Sequence, residues 1–148
     1  MIETTIYDKS AYAARGEWDN EPDIIAFTDE PTGYECEAIR VKNLGTWCGY
    51  VYIPLDHPIL HDYCKCCNKY HKIDELDVHG GVTYSRLESN EAFGIGFDCA
   101  HSFDFAPSYL SMFNNSMFIQ GATYKNKEYV LNEISSLAKQ LKEMEHAL

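Results

Sequence analysis

Thr46-Trp-Cys-Gly-Tyr-Val-Tyr-Ile53 is an almost unbroken run of apolar, aromatic and β-branched residues. Bounded by turn-forming residues, such a run predicts a strand in the middle of a sheet, where neighbours on both sides cover most of its surface. Asn43-Leu-Gly45 supplies the turn before it. Pro54-Leu-Asp-His-Pro58 ends it, since proline removes a ladder donor and restricts the residue it follows. Upstream, Asp23 to Thr28 and Tyr34 to Val41 read as strands that pair as a hairpin around the turn-rich Asp29-Glu-Pro-Thr-Gly33. Downstream, Asp77 to Arg86 and Phe93 to Phe97 read as two more strands, joined through Leu87-Glu-Ser-Asn-Glu91.

At the C-terminal end the pattern changes period. Val130, Ile134, Leu137, Leu141, Met144 and Leu148 recur at steps of 4, 3, 4, 3 and 4, one apolar stripe along a helix over 126–148 with Asn126 as its cap. The stripe is too short for a convincing coiled coil, so it is expected to pack on the sheet, with a homo-oligomer seam as the alternative use. Ser10 to Gly16 reads as a short helical turn capped by Ser10 and stopped by Gly16, within an acidic segment spanning residues 1–22. Residues 59–75 form a Cys/His-rich excursion without a clean period, and Phe105 to Gly121 is aromatic and turn-rich, punctuated by Asn114-Asn115. With no repeat or linker to divide residues 1–148, the expectation is a single α+β domain, mainly antiparallel sheet, with an amphipathic C-terminal helix packed on it.

The chain carries a formal charge of −11, and residues 1–40 hold ten acids against three bases. Direct binding to nucleic acid needs a surplus of Lys and Arg to displace counterions, so it is disfavoured, and a basic protein is the easier partner. No basic start with a long apolar run marks an export signal, and no stretch reaches bilayer-spanning length. A cytoplasmic location is expected, and with it free thiols at Cys36, Cys48, Cys64, Cys66, Cys67 and Cys99.

Two segments concentrate the chemistry. In Leu76-Asp-Val-His-Gly-Gly81, a strand would send Asp77 and His79 out of the same face, and Gly80 and Gly81 would let the backbone approach a ligand closely. A carboxylate beside an imidazole can fix its tautomer, raise its basicity or share a metal ion with it. In Gly96-Phe-Asp-Cys-Ala-His101, extended to Asp104, a helical turn would bring Asp98, His101 and Asp104 together, whereas a continuing strand would put Cys99 and His101 on the side away from Asp98. Together the two segments offer three carboxylates and two imidazoles, enough donors for Zn²⁺, Mn²⁺ or Fe²⁺. Asp77, His79, Gly80, Gly81, Asp98, Cys99, His101 and Asp104 are the candidate ligand-binding residues, with His79, Asp98 and His101 the candidates for catalysis. Cys99 beside a histidine has the parts of a thiolate nucleophile, although a buried, inert cysteine is the commoner use. Separately, Cys64, Cys66, Cys67 and His71, with His57 and His61 upstream, offer soft donors for a structural zinc knuckle. Trp47, Tyr50, Tyr52 and Tyr84 could stack on a base if exposed, and otherwise serve the core.

Cys48-Gly-Tyr, Ile53-Pro, His57-Pro58, Leu76 to Tyr84, Gly96 to His101 and Tyr129-Val with Glu133 and Leu137-Ala-Lys-Gln-Leu141 resemble a family of small proteins encoded by bacteriophages and bacterial mobile elements. The similarity spans roughly residues 21–141, and the Cys-rich insert at 61–71 falls outside the common pattern. The resemblance supplies a setting and no mechanism: the cytoplasm of a bacterial host, where small phage proteins often counter defence signalling. Three functions are expected in this order. The first is binding of a small polar or phosphorylated, nucleotide-like ligand near His79, Asp98 and His101. The second is metal-dependent hydrolysis of such a ligand, and the third is acidic inhibition of a nucleic-acid-binding defence protein through Glu17, Asp19, Glu21 and Asp23.

Overall fold

Along the 46–53 run, Trp47, Gly49, Val51 and Ile53 alternate with Cys48, Tyr50 and Tyr52, the first set buried and the second half-covered. This strand, β4 (Trp47–Pro54), is the axis of a computed structural model that describes residues 1–109 and 121–146. On one side it pairs with β3 (Glu35–Arg40), which forms a hairpin with β2 (Ile24–Thr28), and β2 in turn carries the edge strand β1 (Ile2–Thr4). The short strands β5 (Tyr63–Cys64) and β6 (Lys69–Tyr70) form a separate two-stranded hairpin. β7 (Tyr84–Leu87) closes the other edge of the main sheet against β8 (Ala92–Asp98), which pairs with β4. Among the described residues the strands pair antiparallel throughout, and the main sheet has the order β1-β2-β3-β4-β8-β7.

The register stacks the inward side chains: Val51 lies opposite both Cys36 and Ile95, Gly49 opposite Ala38 and Phe97, and Ile53 opposite Phe93. Helix α1 (Lys127–His146) covers this face with Val130, Ile134, Leu137 and Leu141, all fully buried. Asn126 caps it, its Oδ1 accepting from the Tyr129 amide at 2.9 Å. At Gly49 the helix and the sheet pack with no room for a side chain: a Cβ there would lie 2.6 Å from the Phe97 ring and 2.7 Å from Ile134. Met144 packs against the core as the stripe predicted, while Leu148 and the 110–120 part of the aromatic stretch lie outside the described residues. The architecture is the expected α+β domain with its C-terminal helix on an antiparallel sheet.

Two local expectations change. The N-terminal turn is a 3-10 turn at Lys9–Ala11 capped by Asp8, whose Oδ1 accepts from the Ser10 amide, and Gly16 opens a second turn at Glu17–Asn20. Residues 77–83 are not strand; Leu76 and Val78 are buried as a strand's alternation would require, but Gly80 and Gly81 take φ of +68° and +82°, which breaks the extended path. Trp47 serves the core, the commoner of its two expected uses, and lies under the Arg40 guanidinium at 4.2 Å.

Arg40 shows how the acidic N-terminal segment is used. It points into the sheet–helix layer and all five of its N–H groups find acceptors: Asp23 Oδ1 (2.8 Å), the carbonyls of Gly45 and Pro22 (2.8 Å each), the Tyr124 hydroxyl (2.9 Å) and Glu21 (3.4 Å). Asp23 is fully buried and also accepts from Lys9 Nζ (2.9 Å) and from the amides of Ile6 and Tyr7. A buried charge is tolerated when paired and fully hydrogen-bonded, and here the pairing fastens residues 6–23 to the sheet.

Candidate functional site

The segment after Leu76 runs along one edge of α1 and is held there by three helix residues. The Gln140 side chain makes a two-way clamp on Asp77, its Oε1 accepting from the Asp77 amide (2.8 Å) and its Nε2 donating to the Asp77 carbonyl (2.7 Å). Glu133 accepts from the His79 amide at 2.8 Å, and the Tyr129 hydroxyl meets His79 Nδ1 at 2.8 Å. Steps of 4 and 7 residues return to nearly the same side of a helix, so Tyr129, Glu133 and Gln140 form one polar stripe beside the apolar one.

The second segment ends β8 at Asp98 and then turns, so the turn reading holds for this stretch. Asp98 Oδ1 accepts from the Ala100 amide (3.0 Å), Asp98 Oδ2 accepts from the Thr83 hydroxyl (3.0 Å), and the Asp104 amide donates to the His101 carbonyl (2.9 Å). Cys99 faces inward, and its amide donates to the Trp47 carbonyl. Asp104 pairs as a parallel bridge with Thr123.

These turns bring His79, His101 and Asp104 together. Asp104 Oδ2 lies 2.8 Å from His79 Nε2, 3.1 Å from His101 Nδ1 and 3.0 Å from the His101 amide, and its Oδ1 lies 3.1 Å from Lys125 Nζ. The two imidazole rings are 5.4 Å apart, centre to centre. Asp104 is enclosed, whereas the His101 side chain is 33% exposed and forms the accessible wall. Burial alone would raise the Asp104 carboxyl, but hydrogen bonds from His79, the His101 amide, Lys125 and the His101 ring hold it below the ordinary carboxylate range. Gly80 lies against the His101 ring: a Cβ on it would fall 2.1 Å from His101 Cε1, so only glycine fits.

Each imidazole offers one nitrogen to this centre and has a polar neighbour at the other. His79 Nδ1 meets Tyr129, and His101 Nε2 lies 3.6 Å from Asp98 Oδ1. That is the arrangement metal-ligating histidines use, the far nitrogen being oriented by a hydroxyl or carboxylate. The charges next to the centre are three acids, Asp98, Asp104 and Glu133, against Lys125, a balance that favours a cation.

Of the residues named from sequence, His79, Gly80, His101 and Asp104 meet directly and Asp98 flanks them. Asp77 is exposed and contributes its backbone to the Gln140 clamp, and Gly81 supplies the second positive φ of the turn. Cys99 is 1% exposed and burial drives its thiol far above the usual range, with Asp104 adding to the effect, which removes it as a nucleophile. Tyr129, Glu133 and Gln140 entered only with the motifs of the resemblance and not as site residues, although their polar spacing on α1 was a signal; Lys125, just before the helix, carried none.

In the Cys-rich excursion, donor atoms of Cys64, Cys67 and His71 lie within 4.8 Å of one another. Cys66 is outside this group, and His57 is buried, its Nε2 donating to the Leu141 carbonyl at 2.7 Å and its Nδ1 accepting from the Ile59 amide. Hydrogen bonding to His71, and then to the Cys67 amide, holds the Cys64 thiol down at about 6.

No family model matches the chain, and neither a curated protein nor a solved structure is similar to it. No helix among the described residues is long and apolar enough to cross a membrane.

Proposed function

We propose that His79, His101 and Asp104 hold a divalent cation and that the chain hydrolyses a small polar or phosphorylated, nucleotide-like ligand at it. The observation that carries this reading is the convergence of the three donors, within 4.8 Å, combined with polar partners on both far imidazole nitrogens. Two imidazoles and one carboxylate suit Zn²⁺, Fe²⁺ or Mn²⁺ and leave coordination positions open. Such an ion lowers the pKa of bound water and polarises a phosphoryl or carbonyl oxygen. Asp98 and Tyr129 would hold the imidazoles in orientation, Lys125 would steady the second oxygen of Asp104, and the exposed edge of His101 would face the ligand.

A second reading is a metal-free binding pocket. It is favoured by one specific observation: both oxygens of Asp104 already accept hydrogen bonds, including one from an ammonium group. In that case Asp104 orients the imidazoles and the ligand is held intact. Either activity fits a role in countering host defence signalling, the setting the sequence resemblance suggests. The acidic-inhibitor reading has less surface to work with, because Asp23 and Glu21 are spent on Arg40 and Asp19 bonds Arg15 and the Gly16 amide, leaving Glu17 exposed.

The discriminating experiment uses the chain with Cys64 and Cys67 replaced by serine. Elemental analysis after loading with Zn²⁺ or Mn²⁺ should find one ion per chain, lost in His101→Ala and Asp104→Ala. Mononucleotides and cyclic dinucleotides would then be incubated with the loaded protein and separated by chromatography. Metal-dependent products support the hydrolase; thermal stabilisation by a nucleotide returned intact, without metal, supports the pocket. No ion and no stabilisation would remove both.

A further inference from the structure

The hairpin β5–β6 is too small to be stable through its own ladder: two residues per strand, Tyr63 opposite Tyr70 and Cys64 opposite Lys69. Aromatic contacts tie its base to the domain, with the rings of Tyr63 and Tyr70 at 4.9 Å and those of Tyr70 and Phe93 at 5.4 Å. Its tip has no such anchor. There the chain reads Cys64-Lys-Cys-Cys67-Asn-Lys-Tyr-His71, and Asn68 takes φ of +55°, the one non-glycine residue with positive φ among the described residues. That left-handed turn just after Cys67 reverses the chain, so that a Cys-x₂-Cys pair and a histidine on the return side present their donors to one point, all within 4.8 Å. Tetrahedral Zn²⁺, with bonds of about 2.3 Å to sulfur and about 2.0 Å to nitrogen, requires the donors to draw in from this spacing, which exposed Cys67 and His71 can do by side-chain rotation around half-buried Cys64.

We propose that Cys64, Cys67 and His71 form a second metal site, a zinc knuckle with three protein ligands and a fourth position open to solvent, while Cys66 takes no part. The site is independent of the His79 centre: no residue is shared, and two thiolates select a softer ion than a histidine–carboxylate set does. All three donors come from residues 64–71, so the ion closes a short local loop and stiffens the tip of the excursion.

The test uses the full chain under reducing conditions, loaded with Zn²⁺ and treated with a thiol-alkylating reagent, the modified cysteines being identified by mass spectrometry. Zinc is expected to slow modification of Cys64 and Cys67 at least about tenfold and to leave Cys66 unchanged. Cobalt titration should give intense thiolate-to-metal charge-transfer absorption that persists in Cys66→Ser and in His79→Ala with His101→Ala, and disappears in Cys64→Ser and His71→Ala. Equal protection of all three thiols, protection of none, or charge transfer surviving in Cys64→Ser would overturn the proposal. The alkylation measurement needs no substitution, so it decides the matter even where a variant misfolds.

Discussion

Gly80 concentrates the constraints on the site in one residue. It needs a left-handed backbone and it lacks room for a single carbon, because the His101 ring occupies that space. Gly80→Ala should therefore cost more than about 1 kcal/mol in denaturant unfolding and should also abolish metal retention at the His79 centre. A purely structural glycine would show the first effect without the second. Cysteine chemistry divides just as sharply by residue. Cys36 and Cys99 are buried, and burial pushes the Cys36 thiol up to about 12, whereas Cys66 and Cys67 are exposed. Brief alkylation of the native, metal-free chain should label Cys66 and Cys67 and spare Cys36 and Cys99; labelling of Cys99 would revive it as a nucleophile.

Among the elements, the strands at 24–28, 35–40, 47–54 and 92–98 were legible from short apolar, aromatic and β-branched runs bounded by turn residues; burial alternates along 35–40 and 47–54, whereas 93–97 is buried on both faces. The stretch from Asp77 to Arg86 misled because Leu76 and Val78 bury alternately in a loop clamped by α1, and alternation does not reveal which element does the covering. His79, His101 and Asp104 could be named from their motifs, but their common centre depends on turns and on Tyr129 and Glu133, 50 and 54 residues beyond His79. The Arg40 cluster was not legible at all, since an acid-rich segment reads as solvated until its partners are known. Arg40→Ala should destabilise the chain by about 3 kcal/mol, because it leaves buried Asp23 with Lys9 as its remaining cation and removes the donors to Gly45, Pro22, Tyr124 and Glu21. The same cluster sets an acid limit. Burial would raise the Asp23 carboxyl, yet the amides of Tyr7 and Ile6, Lys9 and Arg40 together hold it below its ordinary value. A depressed folded-state pKa contributes stability that is present above the unfolded value, about 3.9, and is lost as pH falls through the folded one. Unfolding free energy should thus drop below about pH 4, and this drop should shrink in Asp23→Asn, measured against its own lower plateau at neutral pH.

For the whole molecule, the stripe on α1 is consumed within its own chain, since Val130, Ile134, Leu137 and Leu141 have no exposed surface left for a partner helix. Leu137→Ala should cost about 2–5 kcal/mol, and the unfolding midpoint should not move with protein concentration, as it would if the stripe were a dimer seam. Among the described residues the domain then presents two separate clusters of donors that could hold a metal ion, one between the 76–81 turn and α1 and one at the tip of β5–β6. The first carries the functional reading, and imidazole nitrogen NMR at pH 8 reports it atom by atom. On adding Zn²⁺ to the Cys64→Ser, Cys67→Ser chain, His79 Nε2 and His101 Nδ1 should show metal-bound shifts while His79 Nδ1 and His101 Nε2 carry the protons. Unchanged histidine resonances, or zinc on the nitrogens facing Tyr129 and Asp98, would contradict a shared metal centre.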